Sequence, residues 1–538
     1  MAELNDKDQK FYDTMEVPAP TQSPNEMIRH LMAFRNEWKL YRRKCDFTNE
    51  TIISAYRADV PFPVYKYEVW WGDDWDPLEY GTDFDFTRPF FEQFGELQGV
   101  VPREGTSVFH SENCDYNGHI RESKNCYMNS LVHKCEDTHF CYWVVNNKDV
   151  LDCVKVNDST LAYECVDCEG VYECVALQEG VNCHNCYFCY QLRGCSNCIG
   201  CSNLTNKEYY AFNKPLSKAE FIELKQSLLN GSYSAWQKGR ELFATVLAEA
   251  KHRCVHNLNC ENVVGDHLID CKNCHMSFDG FGSEDVKHSV SFSESADIYH
   301  CYSAGWPRCE LVFNSAVTRA STNIAFCYYT FYSSDLRYCD SSMSCHDCFG
   351  CIGLKQKRYC ILNKEYGKEE YFELRNKIIE HMKSTGEWGQ FFPKQLSTFA
   401  YNETAAQDFF PLSQADIRAH GWQWHDIPSG FEYDGPQYDL PDAINDVTDD
   451  ICSQVLTCEA TGKHYRLTTQ EVEFYRKMEL PIPRLAPEAR HQRRYARRTP
   501  HKIFERQCSE TGEKIFSSFA PERTETVLSP EAYLRSLD

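Results

Sequence analysis

A period of three in the cysteines limits what this chain can fold into more than any other feature. From Cys114 to Cys201 they fall at positions 114, 126, 135, 141, 153, 165, 168, 174, 183, 186, 189, 195, 198 and 201, all divisible by three. Random placement would do this roughly once in a million trials, so the spacing marks a structural repeat. Ile120, Val132, Val144, Val150, Val156, Ala162, Val171, Leu177, Leu192 and Leu204 keep the same phase. Strands alternate at two and helices at 3.6, so neither carries a sustained period of three as a long element. Short strands joined by tight corners do. A twelve-residue period is superimposed, with Ile120, Val132, Val144 and Val156 in one column and Cys141, Cys153 and Cys165 in another. Asn113, Asn125, Asp137, Asp149, Glu173, Asn185 and Asn197 form a polar column suited to corners. These columns predict a thin β-solenoid of about twelve residues per coil, its coils stacked about 4.8 Å apart.

A second cysteine-rich block, 254–362, keeps the period with phase slips between Cys260 and Cys271 and between Cys301 and Cys309, where loops are expected to bulge. CSNCIGCSNLTNKEYYAFNK from Cys195 aligns with CHDCFGCIGLKQKRYCILNK from Cys345 at an offset of 150, which reads as an internal duplication. Charged helical patterns follow each block, from 217 to about 251 and from 368 to about 385, and are expected to cover the open edges of the stacks. The chain ends are also related. At an ungapped offset of 463, Phe11, Tyr12, Met15, Arg35, Lys39, Arg43, Cys45 and Ile52 match Phe474, Tyr475, Met478, Arg498, Lys502, Arg506, Cys508 and Ile515. Each copy has a cysteine-headed turn, CDFTNE or CSETGE, and a further turn of this form starts at Cys458. The resulting fold class is mainly β: two tandem solenoids with helical caps, flanked by two homologous, degenerate zinc-ribbon-like α+β modules. The units are 1–105 (ribbon-like module and aromatic, acidic segment), 106–206 (solenoid 1), 207–253 (helical cap), 254–362 (solenoid 2), 363–386 (helical cap), 387–450 (aromatic extended segment) and 451–538 (ribbon-like module).

FYRKMELPIPRLAPEARHQRR, the WWGDDWDPLEYGTDFDFTRPFFEQF segment from Trp70, the cysteine triplets and AYNETAAQDFFPLSQADIRAHGWQW from Ala400 together resemble uncharacterised cysteine-rich proteins of candidate-phyla bacteria. The resemblance covers nearly the whole chain and implies zinc-ribbon-like ends, where relatives commonly keep paired cysteines. This chain departs from that pattern at Ser23, Thr48 and Thr511, so four ligands are not assembled locally. Some relatives carry a CaiB/BaiF label, but nothing here reads as a two-domain α/β transferase.

Thirty cysteines have three readings. The first is core filler, since Val, Ala and Leu share their columns and a narrow interior admits only small side chains. The second is zinc or an iron–sulfur cluster held by Cys183, Cys186 and Cys189, by Cys195, Cys198 and Cys201, or by Cys345, Cys348 and Cys351, although a repeat of three creates C-x2-C for any purpose. The third is disulfides across the coil, against which stands an amino terminus without a secretory signal. That terminus predicts a cytoplasmic location, and no apolar run is long enough for a membrane span. The net charge of −23 disfavours broad nucleic-acid binding, yet residues 484–507 carry a local excess of +6. Arg490, Arg493, Arg494, Arg497, Arg498 and Lys502 could follow a phosphate backbone or dock on the chain's own acidic surface. Rings from Trp70 to Phe91 and from Phe391 to Trp424 are expected to cover the solenoid sides, with a sugar platform as the alternative. No catalytic motif occurs, and nineteen histidines show no ligand spacing. No cofactor is therefore predicted. The expected role is a non-enzymatic scaffold for a macromolecular, most simply protein, partner, with metal binding and nucleic-acid binding as alternatives.

Overall fold

The computed structural model describes residues 5–427 and 433–537, so residues 428–432 of the aromatic segment lie outside the described residues. Two large sheets of parallel strands dominate, one from Ser107–Phe109 to Lys214–Pro215 and the other from Val264–Ile269 to Lys364–Glu365. Most of their strands are four residues long, and pairing steps forward by twelve, as in Lys148↔Thr160 and Val154↔Val166. Each twelve-residue turn therefore places one strand in each of two parallel ladders.

The backbone explains the period of three. Asp149, Asp152, Lys155 and Asp158 have φ of 53°, 56°, 52° and 50°, and left-handed residues recur at every third position through most of both sheets. Two extended residues and one left-handed residue make each side of a turn, so four side chains per turn point inward. In one turn these are Val150, Cys153, Val156 and Ser159, all buried. An ordinary residue in the left-handed region costs roughly 1–2 kcal/mol, and Asn or Asp tolerates it best. The polar column occupies such positions, and its amides bond from turn to turn: Asn113 Nδ2 donates to Asn125 Oδ1 at 3.0 Å and Asn125 Nδ2 to Asp137 Oδ1 at 3.1 Å. Left-handed residues also join the backbone ladder, with Asp152 N donating to His139 O and Asp158 N to Val145 O, both at 3.0 Å.

Both phase slips have a local cause. Register shifts between Val264 and Gly265, where the step shortens to eleven (Val264↔His275). Two extra residues around Trp306 and Pro307 lengthen another step to fourteen (Ala296↔Glu310).

The helices after each sheet pack on its outward rings. Trp236 of Tyr233–Glu249 packs on Tyr163 and Phe188, both at 5.6 Å, and Tyr371 of Lys368–Thr385 packs on Tyr359 at 5.7 Å. These are the outward aromatic columns, each ring contributing about 1.5–3 kcal/mol when fully buried. The last parallel strand of each sheet pairs with a short antiparallel strand, Ala211↔Lys214 in the first sheet and Ile361↔Lys364 in the second. The turn residues Phe212, Asn213, Leu362 and Asn363 all have positive φ, as a two-residue hairpin of this twist requires.

The first edge of each sheet meets one end of the chain. Val64–Tyr65 pairs with Arg103–Glu104 ahead of the first sheet, and Thr526–Leu528 pairs with Lys251–Arg253 ahead of the second. Ser54 Oγ donates to Gly105 O at 3.1 Å, and Ser517 Oγ to Cys254 O at 2.9 Å. The two ends agree element by element: helices Asp6–Met15 and Thr469–Lys477, helices Pro24–Met32 and Pro487–Tyr495, and hairpins with register Arg43↔Ile52 and Arg506↔Ile515. Their helices cross over. Phe11 stacks on Tyr299 of the second sheet at 3.9 Å, while Tyr475 meets Tyr163 of the first at 5.8 Å. Among the described residues no helix is long and apolar enough to cross a membrane.

Candidate functional site at the junction of the two sheets

Of the thirty cysteines, all are unpaired and only Cys260 and Cys452 are even partly exposed. The inward thiols are engaged with backbone. Cys153 Sγ donates to Leu151 O at 3.5 Å and to Ala162 O at 3.6 Å, and Cys153 N donates to Cys141 Sγ at 3.3 Å. Serine does the same work elsewhere in the interior: Ser289 Oγ accepts from Cys301 N and Ser333 Oγ from Cys345 N, at 3.0 and 3.1 Å. The column thus selects a small side chain with a heteroatom that caps the N–H one turn further on. Valine, leucine and alanine share the inward columns with these residues.

The cysteine triplets considered as metal ligands follow this pattern. Cys183, Cys186, Cys189, Cys195, Cys198 and Cys201 each donate to the carbonyl two residues earlier, at 3.2 to 3.4 Å. Cys345, Cys348 and Cys351 do likewise at 3.2 to 3.4 Å. Contact with Cys174, Cys183 and Cys198 and then burial push the Cys186 thiol well up, and Cys345, Cys351 and Cys360 do the same to Cys348. Within the same triplet Cys186 lowers the Cys183 thiol against its burial. In the terminal turns Cys45 Sγ accepts from Thr48 N and Lys66 N at 3.5 and 3.3 Å, and Cys508 Sγ accepts from Ser529 N at 3.3 Å.

The basic segment faces inward. Arg490 and Arg494 are buried on Asp152, both at 2.9 Å, and Arg490 also reaches Glu471 at 3.1 Å. Arg493 pairs with Glu164, and Arg497 donates to Glu164 O at 2.9 Å. Arg498 lies between the sheets, 3.0 Å from Asp167 of the first and 2.9 Å from Asp279 of the second. Of the six candidates for phosphate contact only Lys502 is exposed. Of the two readings of this segment, docking on the chain's own acidic surface matches these contacts. A guanidinium stays charged when buried, so carboxylate partners are needed to offset its desolvation.

The matching residue of the amino-terminal end occupies a similar wedge. Arg35 Nε bonds Glu37 at 2.7 Å, and Glu37 accepts from Tyr142 of the first sheet at 2.7 Å and from Tyr302 of the second at 2.8 Å. Asp279 also accepts from His501 at 2.7 Å and from Lys155, whose pKa burial lowers to about 8 against the pull of that carboxylate.

Next to this bridge lies a cluster that no spacing in the sequence announces. One ligand atom each from His256, Asp266 and His267 lies within 4.8 Å of the others, the only such group of three or more among the described residues. The His256 and His267 rings stack at 4.8 Å. Glu179 of the first sheet closes the cluster, its Oε1 3.1 Å from His256 Nε2. Burial would raise the Glu179 carboxyl, but His256, with His267 and His252 beyond it, holds it at about 2. Thr499 from the carboxy-terminal end donates to Asp266 Oδ2 at 2.9 Å. The members come from residues 179, 256, 266, 267 and 499, and only the packing of both sheets with the chain end unites them.

The aromatic tracts are largely interior: Trp70, Phe90, Phe94, Phe391, Phe392 and Trp422 are buried, and Trp70, Trp71 and Trp75 surround the Lys355 ammonium at 4.4, 5.5 and 4.9 Å. They hold their segments against the second sheet, and Phe86 of the first tract stays exposed. No protein-family model matches the chain, and no curated protein matches it significantly.

Proposed function

We propose that the chain is a non-enzymatic scaffold: two tandem β-solenoids arisen by internal duplication, capped by two homologous modules of degenerate zinc-ribbon type, that present a rigid flank to a protein partner. The observation that carries this reading is the double wedge at the junction, where Arg498 and Glu37 each contact both sheets. Such bridges hold two stacks as one body, and solid interiors leave the outer surface for recognition. Thirty unpaired thiols suit a reducing compartment such as cytoplasm. Trp306 and Tyr332 of the second sheet stand 41% and 46% exposed, beside His133 and Arg121 of the first. An exposed tryptophan and tyrosine at a rigid surface are the side chains that anchor protein interfaces. The test is co-purification from cells expressing the chain, with and without the paired change Trp306→Ala and Tyr332→Ala. A stoichiometric protein partner lost in the variant is expected. A chain that purifies alone, or a partner retained equally by the variant, contradicts the reading.

A further inference from the structure

We propose that His256, Asp266 and His267, backed by Glu179 on the far nitrogen of His256, form a binding site for one divalent transition-metal ion, of the borderline class to which zinc belongs, at the junction of the two sheets. The argument begins with charge. Asp266 and Glu179 have side chains only 1% and 14% exposed, and among the described residues neither is paired with a lysine or arginine. His256 lies between the two carboxylates, and the backbone N–H groups of His256 and His267 fix Asp266 Oδ1 beside both rings. Two imidazole nitrogens and carboxylate oxygens are a donor set suited to zinc and its first-row neighbours.

The geometry is close to a coordination shell without being closed into one. His256 Nδ1 is 3.1 Å from Asp266 Oδ1, His267 Nε2 is 3.9 Å from Asp266 Oδ2, and His256 Nε2 is 3.1 Å from Glu179 Oε1. Donors around zinc at 2.0–2.1 Å stand about 3.3 Å apart. The outer partners that orient ligands are already in place: Thr499 Oγ1 on Asp266 Oδ2 at 2.9 Å and Glu179 Oε1 on His256 Nε2 at 3.1 Å, with Glu179 itself held by Tyr190 OH and Gln191 Nε2, both at 3.1 Å. His267, 18% exposed, leaves a route for the ion. Because Glu179 belongs to the first sheet, the three ligands to the start of the second and Thr499 to the chain end, an ion here would tie all three together.

The experiment is titration of chelator-treated, full-length, reduced protein with zinc chloride and cobalt chloride. One equivalent per chain is expected, with a cobalt spectrum lacking the thiolate-to-metal charge-transfer band that cysteine ligation would produce. His267→Ala should weaken binding by at least about a hundredfold and Thr499→Val by about tenfold, the range outer partners reach. Glu179→Gln, which keeps shape and lies in a different sheet, serves as the second variant should His267→Ala fail to fold, and it too should weaken binding. Absence of uptake, a thiolate band, or affinity unchanged in the folded variants overturns the site.

Discussion

Replacing Cys327 tests whether the interior thiols act as hydrogen-bonding groups or only as filler. Cys327 is fully buried, and its Sγ accepts from Cys339 N at 3.3 Å, the only acceptor of that N–H. One turn earlier Ser315 Oγ performs the same task for Cys327 N at 3.0 Å. The thiol also donates to Ala325 O at 3.3 Å, but that carbonyl has a second donor in Tyr338 N at 3.2 Å and stays satisfied without it. Cys327→Ala therefore strands one backbone N–H in a sealed interior, at a cost of about 1–3 kcal/mol. The small void adds up to about 1 kcal/mol. Cys327→Ser restores an acceptor that this interior already accommodates, so its loss should stay under about 1 kcal/mol. Equilibrium urea unfolding in reducing buffer, followed by tryptophan fluorescence, ranks the variants. The order expected is wild type, then serine, then alanine. Filler alone predicts alanine equal to or above serine, because a buried hydroxyl without a task is a penalty. That result would refute the reasoning.

Three further outcomes follow. Arg498→Met leaves Asp167 and Asp279 without their shared guanidinium and should cost about 3–5 kcal/mol in unfolding free energy, whereas Lys502→Met should stay within about 0.5 kcal/mol. Native alkylation followed by intact mass should label Cys260 and Cys452 readily and the remaining thiols only after denaturation, when all thirty react. Glu488 joins Lys39 to Lys463, which outweigh its burial and lower its pKa from 4.5 to about 2. A depressed carboxyl stabilises above its unfolded value and loses that contribution as pH falls through the folded one. The urea midpoint of Glu488→Gln should therefore lie below wild type at pH 5 and converge with it toward pH 2. For so exposed a pair the gap stays under about 1 kcal/mol.

Sequence alone made the interior readable because a backbone that repeats every three residues writes its inward side chains directly into the spacing. Cys141, Cys153 and Cys165, one column in the sequence, are all fully buried. The Asn and Asp column likewise marked left-handed residues, although the same conformation at Lys155 or Leu161 carried no compositional signal. The matching of Arg43 with Arg506 was visible as an offset and reappears as equal hairpin register. What composition could not show was direction. The run from Arg490 to Arg498 reads as surface charge until Asp152, Glu164, Asp167 and Asp279 are brought to it from more than two hundred residues away. The histidine and carboxylate cluster was hidden for the same reason, since Glu179 and His256 share neither a motif nor an element.

The most direct test of the inward thiol columns is sulfur anomalous diffraction from crystals of the reduced protein, which locates each cysteine sulfur without reference to a starting structure. The sulfurs of Cys141, Cys153 and Cys165 should lie in line inside the first sheet, separated by about one strand spacing of 4.7–4.9 Å. Sulfurs on the outer surface, or paired at about 2.05 Å as disulfides, would contradict the account.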